Sequence, residues 1–315
     1  MRAAVNREYG APDVVRIEEV PAPVPGAKQV LVRVHASAVT AADSRIRGAR
    51  FPSGYGVLAR LVFGLRRPRR QVLGGVASGV VEAVGARAEG FAVGDEVCGV
   101  TGMAFGAHAE LVAVATKRLA HKPSTVSHEQ AAGMLFGGST ALHFVRDVGR
   151  VRAGQTVLVN GASGAVGTNA VQLAKHFGAE VTAVTSAPNA TLLKELGADH
   201  VVDYAMTPVA GLTERFDVVI DTVGTIGLEA GRRLLTDNGV MLLVAGTLGE
   251  ALRARGNVKA GTTPERAENF VTLLDLVADG TLTVVNQHVL ALEDIVRAHE
   301  IADSGRKVGN IVVRP

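Results

Sequence analysis

Thr156-Val-Leu-Val-Asn160-Gly161-Ala162-Ser163-Gly164-Ala165-Val166-Gly167 opens as a short apolar run and then turns through three glycines. It passes directly into Thr168-Asn-Ala-Val-Gln-Leu-Ala-Lys175, which has a helical pattern. The GxxGxxG spacing differs from the commoner GxGxxG, but the physical need is the same. A tight turn leaves a strand, small residues let a pyrophosphate approach the backbone, and a helix N-terminus offers free N–H groups to it. A glycine pattern alone is weak evidence. Here it follows a strand, precedes a helix, and is succeeded by a second apolar run, Glu180-Val-Thr-Ala-Val-Thr185, at the distance a βαβ unit requires. Asn160, Gly161, Ala162, Ser163, Gly164, Ala165, Val166 and Gly167 are therefore read as a dinucleotide-binding turn.

The surrounding pattern supports that reading. Further short apolar runs at 200–203, 216–221 and 239–245 alternate with helical stretches at 166–177, 189–196 and 228–235. Apolar strands separated by helices imply a parallel sheet covered on both faces, a doubly wound Rossmann-type domain. Upstream, the first ~120 residues are β-rich by their alternation and turn residues. Segments 29–36 (QVLVRVHA), 79–85, 95–100 and 107–114 read as strands, with Gly94-Asp95 as a turn. Pro21 to Gly26 is an extended connector that proline keeps out of any helix. Ser127, with Gln130 three residues on, forms a capping box that predicts a helix from His128. Downstream, helices at 265–279 and 292–302 are expected to flank strands at 283–290 and 310–313 and to return to the first domain.

Composition bounds the answer. A chain of 315 residues suggests two domains; 47% hydrophobic content supports well-filled cores, and 37 glycines with 4% aromatics suit an α/β protein. No apolar run approaches the ~20 residues of a membrane span, and the N-terminus reads as a first strand, so no membrane partner is expected. The single cysteine, Cys98, excludes an internal disulfide and a multi-cysteine zinc site. A cytoplasmic protein is the expectation. The net charge of +3 is too small to imply nucleic acid. Arg60, Arg66, Arg67, Arg69 and Arg70 are nevertheless crowded into one stretch. Such runs are mostly solvated faces; a basic lip attracting an anionic substrate or the cofactor's phosphates is the sharper reading.

The second strand ends in Thr185-Ser-Ala-Pro-Asn189. A site preferring NADH usually has an acid here to hold the ribose 2′-hydroxyl. Ser186 stands there instead, so repulsion toward a 2′-phosphate is absent and NADPH is favoured over NADH. No Arg or Lys follows until Lys194.

Further motifs occur in a fixed order: Val30-Leu-Val-Arg-Val-His-Ala-Ser-Ala-Val39 with Asp43, then Gly79-Val-Val-Glu-Ala-Val-Gly85 and Gly94-Asp95-Glu-Val97. Gly138-Ser-Thr-Ala141, the 160–167 turn, Leu196-Gly-Ala-Asp199 with Asp203-Tyr204, and Asp221-Thr-Val-Gly224 complete the series. In this order and spacing, nearly end to end, the chain resembles the zinc-independent medium-chain dehydrogenases/reductases, in their quinone oxidoreductase-like branch. The resemblance implies a GroES-like β-rich catalytic domain, discontinuous over 1–123 and 265–315, and a Rossmann cofactor domain over 124–264. The nicotinamide would lie on the floor of the cleft between them. A homodimer joined through the last strand of the cofactor sheet, here near 257–261, is also implied.

The resemblance places Thr140 near the nicotinamide ribose or phosphate and Tyr204 near the adenosine phosphate; Val223, Ala245 and Gly246 complete the expected cofactor set with Ser186. Relatives often have Asn-Pro where this chain has Thr40-Ala41, so Thr40 is a candidate catalytic residue that keeps a hydroxyl donor. Tyr55 is the second, able to offer its phenol to a substrate carbonyl. Asp43 reads equally as a salt-bridge partner, and Leu135 and Phe136 would narrow the pocket. The zinc-dependent relatives' early cysteine and His-Glu pair are missing; Ala36 to Asp43 holds no cysteine, and Gly75-Val76 stands at the His-Glu position. No zinc is expected. Without a Lewis acid to stabilise an alkoxide, hydride transfer to a quinone or an α,β-unsaturated carbonyl is the favoured chemistry. Two alternatives remain: a zinc-free alcohol or polyketide-type reductase, and an NADPH-binding sensor or RNA-binding protein with little catalysis.

Overall fold

The computed structural model describes all residues, Met1 to Pro315. β1 (Arg2–Asn6) and β2 (Val15–Glu19) form an antiparallel ribbon. β3 (Gln29–Val39) is long and alternates, with Val30, Val32 and Val34 buried and Arg33 and His35 exposed. Two short helices follow, α1 (Ala41–Arg47) and α2 (Gly56–Phe63), then β4 (Val76–Val84), β5 (Glu96–Val100), β6 (Leu111–Ala115) and β7 (Leu119–His121). One mixed sheet gathers β3 to β7 together with strands from the far end of the chain. β3 is its hub. One edge pairs first with β6 and then, beyond it, with the last strand of the chain; the other edge pairs with β4.

α3 (His128–Leu142) opens where the capping box predicts, with the Ser127 hydroxyl accepting from Gln130 N and the Gln130 side chain accepting from Ser127 N. β8 (Thr156–Asn160), α4 (Ala165–His176), β9 (Glu180–Thr185), α5 (Ala190–Glu195), β10 (His200–Asp203) and β11 (Phe216–Asp221) follow. The cofactor half ends with α6 (Leu228–Arg233), β12 (Leu235–Leu243), α7 (Leu248–Arg253) and β13 (Val258–Ala260). Its six strands are all parallel, in the order β10-β9-β8-β11-β12-β13. Chain direction across the sheet therefore reverses between β8 and β11, the place where such sheets open a crevice at their carboxyl ends. α8 (Ala267–Ala278) sends Leu273 into the core around β8 and α4, and Phe270 and Leu274 into the core beneath β3 to β5. β14 (Asn286–Ala291), α9 (Ile295–Asp303) and β15 (Asn310–Arg314) complete the mixed sheet.

Several element ends differ from the sequence expectation by a few residues, among them the strands at Val76–Val84 and Leu235–Leu243, and three of the differences have a clear local reason. The strand expected from 107 starts only at Leu111, because the backbone of Ala107 and His108 bonds to Gly74 and Leu73 instead. The strand expected from 283 starts at Asn286, since the Thr283 amide is taken by the Gln172 side chain of α4. The helix expected to run to 235 stops at Arg233, and Leu235 already pairs with Phe216.

Candidate functional site

The crevice at the switch point is built from the ends of β8 and β11. Asn160 closes β8 and Asp221 closes β11, and the Asn160 Nδ2 donates to Asp221 Oδ1 at 2.9 Å and to Thr225 Oγ1 at 3.0 Å. The fully buried Asp221 carboxylate also accepts from the amides of Val223, Gly224 and Ile226. This carboxylate shapes the 221–226 turn that forms the wall facing the glycines. Asn160 thus lines the crevice while its amide group serves as a lock across the switch point.

Gly161 holds a φ of +74°, and a Cβ there would stand 2.2 Å from the Val223 side chain. A Cβ on Gly167 would meet the Gly161 carbonyl oxygen at the same distance, so the first turn of α4 packs directly onto the loop. Glycine at both positions lets the backbone lie open to a ligand. Ala162 is fully buried beneath the loop, its amide donating to Val184 O at 3.0 Å. The amides of Ala165, Val166 and Gly167, in the first turn of α4, have no carbonyl one turn back to accept them.

Two cavities meet at this turn. The larger, about 770 Å³, is lined by Asn160, Ser163, Ser186, Asn189, Tyr204 and Arg306, among others. The smaller, about 200 Å³, is lined by Thr40, Ala41, Phe136, Ala165, Val166 and Asn310, among others, and half of its lining residues are apolar. Gly161, Gly164, Val223, Gly305 and Lys307 border both. Together they form a continuous trough across the carboxyl ends of β8 and β11, one part mainly polar and the other half apolar. Asn189 Nδ2 donates to Ser186 Oγ at 3.2 Å, giving the far end a neutral polar floor.

The cations come from where sequence order does not suggest. Lys194 is exposed on α5 and lines neither cavity. Arg306 and Lys307 supply the charge, on the segment that joins α9 to β15. That segment is docked on the glycine-rich turn: Gly309 N donates to Ser163 O at 2.8 Å, and Gly164 and Gly309 form a parallel bridge. Lys307 Nζ donates to Gly309 O at 2.6 Å, and burial brings its ammonium down to about 8. The segment is anchored behind by Asp303, which pairs with the fully buried Arg47 at 2.5 Å and with Arg50 at the same distance, and accepts from the Ser44 hydroxyl. A lone Ser-Gly-Arg-Lys so far from the glycines carries no local signal; only the strand pairing of β15 with β3 brings it here.

Several expected site residues lie elsewhere. Thr40 borders the smaller cavity, but its hydroxyl donates to Asp43 Oδ2 at 2.6 Å and accepts from the Asp43 amide, capping α1. Its proton is committed, which corrects its expected part as a donor. Asp43 forms no ion pair; its other oxygen accepts from the Gly74 amide at 3.0 Å. Tyr55 precedes α2 and lines neither cavity. Thr140 donates its hydroxyl to Phe136 O at 2.9 Å along α3 and lines neither cavity. Phe136 does border the smaller cavity, whereas Leu135 is core. Ala245 and Gly246 sit against Gly224 behind the 221–226 turn, outside both linings.

No three His, Cys, Asp or Glu side chains converge closely enough to hold a metal. Cys98 is fully buried, and burial pushes its thiol up to about 12. His108 Nε2 lies 3.1 Å from Ala38 O, and burial, with His108 beside it, brings His299 down to about 3.

Residues 26–124 match the alcohol dehydrogenase GroES-like domain, and residues 196–313 match the family described as zinc-binding dehydrogenase. The chain is 30% identical to a quinone oxidoreductase of Pseudomonas aeruginosa over 98% of this chain and 97% of that one. It is 31% identical to a 2-methylene-furan-3-one reductase of Solanum lycopersicum over 100% of this chain and 79% of that one. The solved quinone oxidoreductase of Coxiella burnetii superposes with a TM-score of 0.90 at 27% identity, covering 100% of this chain and 99% of that one. A mycobacterial protein solved with NADPH superposes with a TM-score of 0.82 at 30% identity over the whole of both chains. The chain belongs to the medium-chain dehydrogenase/reductase superfamily, in its quinone oxidoreductase-like branch.

Proposed function

We propose that this oxidoreductase takes its reducing equivalents from NADPH and delivers them, without zinc, to a quinone or an α,β-unsaturated carbonyl. The observation that carries the reading is the trough itself. Its large polar end joins a small, half-apolar cleft at the glycine-rich turn; Lys307 borders the junction and Arg306 lines the large end. The amides at the start of α4 and the Lys307 ammonium would hold the pyrophosphate, while Ser186, Asn189, Tyr204 and Arg306 would receive the adenosine end with its 2′-phosphate. The absence of a carboxylate after β9 leaves that phosphate unopposed.

NADPH, when bound, supplies the hydride. The protein orients and shields. Gly161, Gly164, Val223, Phe136 and Ala38 to Ala41 line the cleft in which a flat conjugated substrate would lie. Charge arriving on such a substrate spreads over its conjugated oxygen, so neither a Lewis acid nor a dedicated acid is required. Thr40, with its proton held by Asp43, positions the wall, and water supplies the proton. The same reading pairs two copies through β13, the short edge strand of the cofactor sheet.

The test is NADPH consumption by the purified protein against a panel of soluble quinones and enones. Turnover with either class, with a lower KM for NADPH than for NADH, is the expected result. NADPH binding without turnover of any member of the panel would overturn the reading.

A further inference from the structure

α2 is built the wrong way round for a surface helix. Its residues run Gly-Val-Leu-Ala-Arg-Leu-Val-Phe, and none is fully buried. Ala59 and Phe63 face the protein, Phe63 between Phe51 and Phe105 at 5.7 and 6.1 Å. The face turned to solvent is the apolar one: Val57, Leu58, Leu61 and Val62 are exposed, and Leu65 beyond the helix is 60% exposed. Surface helices ordinarily carry their polar face outward, and a contiguous apolar patch of this kind marks a docking surface.

The rim of the patch identifies what docks. Arg60, Arg66, Arg67, Arg69 and Arg70 surround it, all exposed, and none forms an ion pair. From Ser44 to Val81 there is no Asp or Glu at all. Arg60 lies over the Tyr9 ring at 5.3 Å, and the Tyr9 hydroxyl donates to Gly64 O at 2.7 Å, so the element is fixed to the body. Leucines and valines flanked by unpaired arginines are the composition of a helix that lies in a bilayer interface, apolar side among the acyl chains and guanidinium groups at the phosphates. We infer that α2 and the loop to Arg70 dock this protein on an anionic lipid surface. No membrane contact is expected from the sequence alone, because nothing in it spans. This element does not span but lies flat.

Position gives the docking a use. The segment follows α1, whose first residue, Ala41, borders the smaller cavity, and Ser53 O accepts from Leu248 N at the start of α7, so it bridges the two halves of the molecule. A surface held there brings lipid-dissolved conjugated molecules to the rim.

Co-sedimentation with phosphatidylcholine vesicles, with and without phosphatidylglycerol, tests the inference independently of any catalytic reading. Binding should require the anionic lipid and fall steeply as salt is raised. Arg66→Glu with Arg67→Glu should weaken it by about 25-fold or more, each arginine near such a surface contributing about fivefold. Leu58→Asp with Leu61→Asp should abolish it, and both variants should retain wild-type melting and NADPH affinity. Absence of wild-type binding to anionic vesicles overturns the inference. So does a fall in oligomeric size caused by the leucine variant without loss of vesicle binding, which would make this face an interface between copies of the chain.

Discussion

The two walls of the cofactor trough are made in opposite ways. The 160–167 turn is continuous in sequence, uncharged, and held by backbone bonds within its own sheet. The 305–310 segment arrives from the other end of the chain and carries two adjacent cations; the Gly309–Ser163 backbone bond docks it on the turn, and the Asp303 pairs with Arg47 and Arg50 anchor it from behind. The first wall sets where a pyrophosphate can approach; the second decides how strongly its charge is answered. Shape and charge are thus separable here, and mutations should separate them.

The largest effect belongs to the turn. Gly167→Ala puts a Cβ 2.2 Å from the Gly161 carbonyl, a backbone atom that cannot move aside without reshaping the loop. It should destabilise the protein by about 3 kcal/mol and abolish NADPH binding. Gly164→Ala is the control three residues away. It has nothing nearer than 3.4 Å and an ordinary φ of −76°, so its cost should stay within about 1 kcal/mol. Thermal melts and NADPH fluorescence titrations read both. Equal behaviour of the two variants would break the claim that packing, rather than glycine content, makes this wall.

The same contrast explains what could be read from the sequence. The turn was legible because strand, glycines and helix are contiguous, and the ends of β9, β10 and β11 follow from their apolar runs. The capping box at Ser127 was legible for the same reason: its partners are three residues apart. Lys307, Arg306 and Asn189 were not, because their place depends on β15 pairing with β3 and on a turn beyond β9. Thr40 shows the reverse failure. A hydroxyl at a family position suggests a donor, but its neighbour Asp43 takes the proton in a local cap, a competition that the pattern Thr-x-x-Asp could have revealed.

The anchor of the second wall gives the next effect. Asp303→Asn removes the charge that balances Arg47, whose side chain is wholly buried, and a buried ion pair broken on one side costs about 3 kcal/mol. Because Asp303 lies two residues before Gly305, the KM for NADPH should rise as well, while Gly164→Ala leaves this anchor untouched. Denaturant unfolding with parallel kinetics reads both quantities. A loss of stability with an unchanged KM would mean that the segment holds its position without Asp303, and that its bond to Ser163 suffices.

The smallest effect isolates charge from shape altogether. In the free protein burial lowers the Lys307 ammonium from its usual range to about 8. Phosphates bound beside it favour the protonated form, so binding must draw in a proton once pH exceeds that value. The sign follows: affinity for NADPH is full below about pH 8 and falls as pH rises, reaching about tenfold weaker at pH 9 than at pH 7 if the bound lysine stays protonated. Lys307→Ala should weaken binding by about 10- to 100-fold, the loss of one charge-assisted hydrogen bond, and flatten that profile. Lys307→Arg keeps its charge throughout and should flatten the profile with a far smaller loss. Isothermal titrations between about pH 7 and about pH 9 distinguish these outcomes. A profile in Lys307→Ala as steep as that of the wild type would assign the proton to another group and leave the second wall with Arg306 as its working cation.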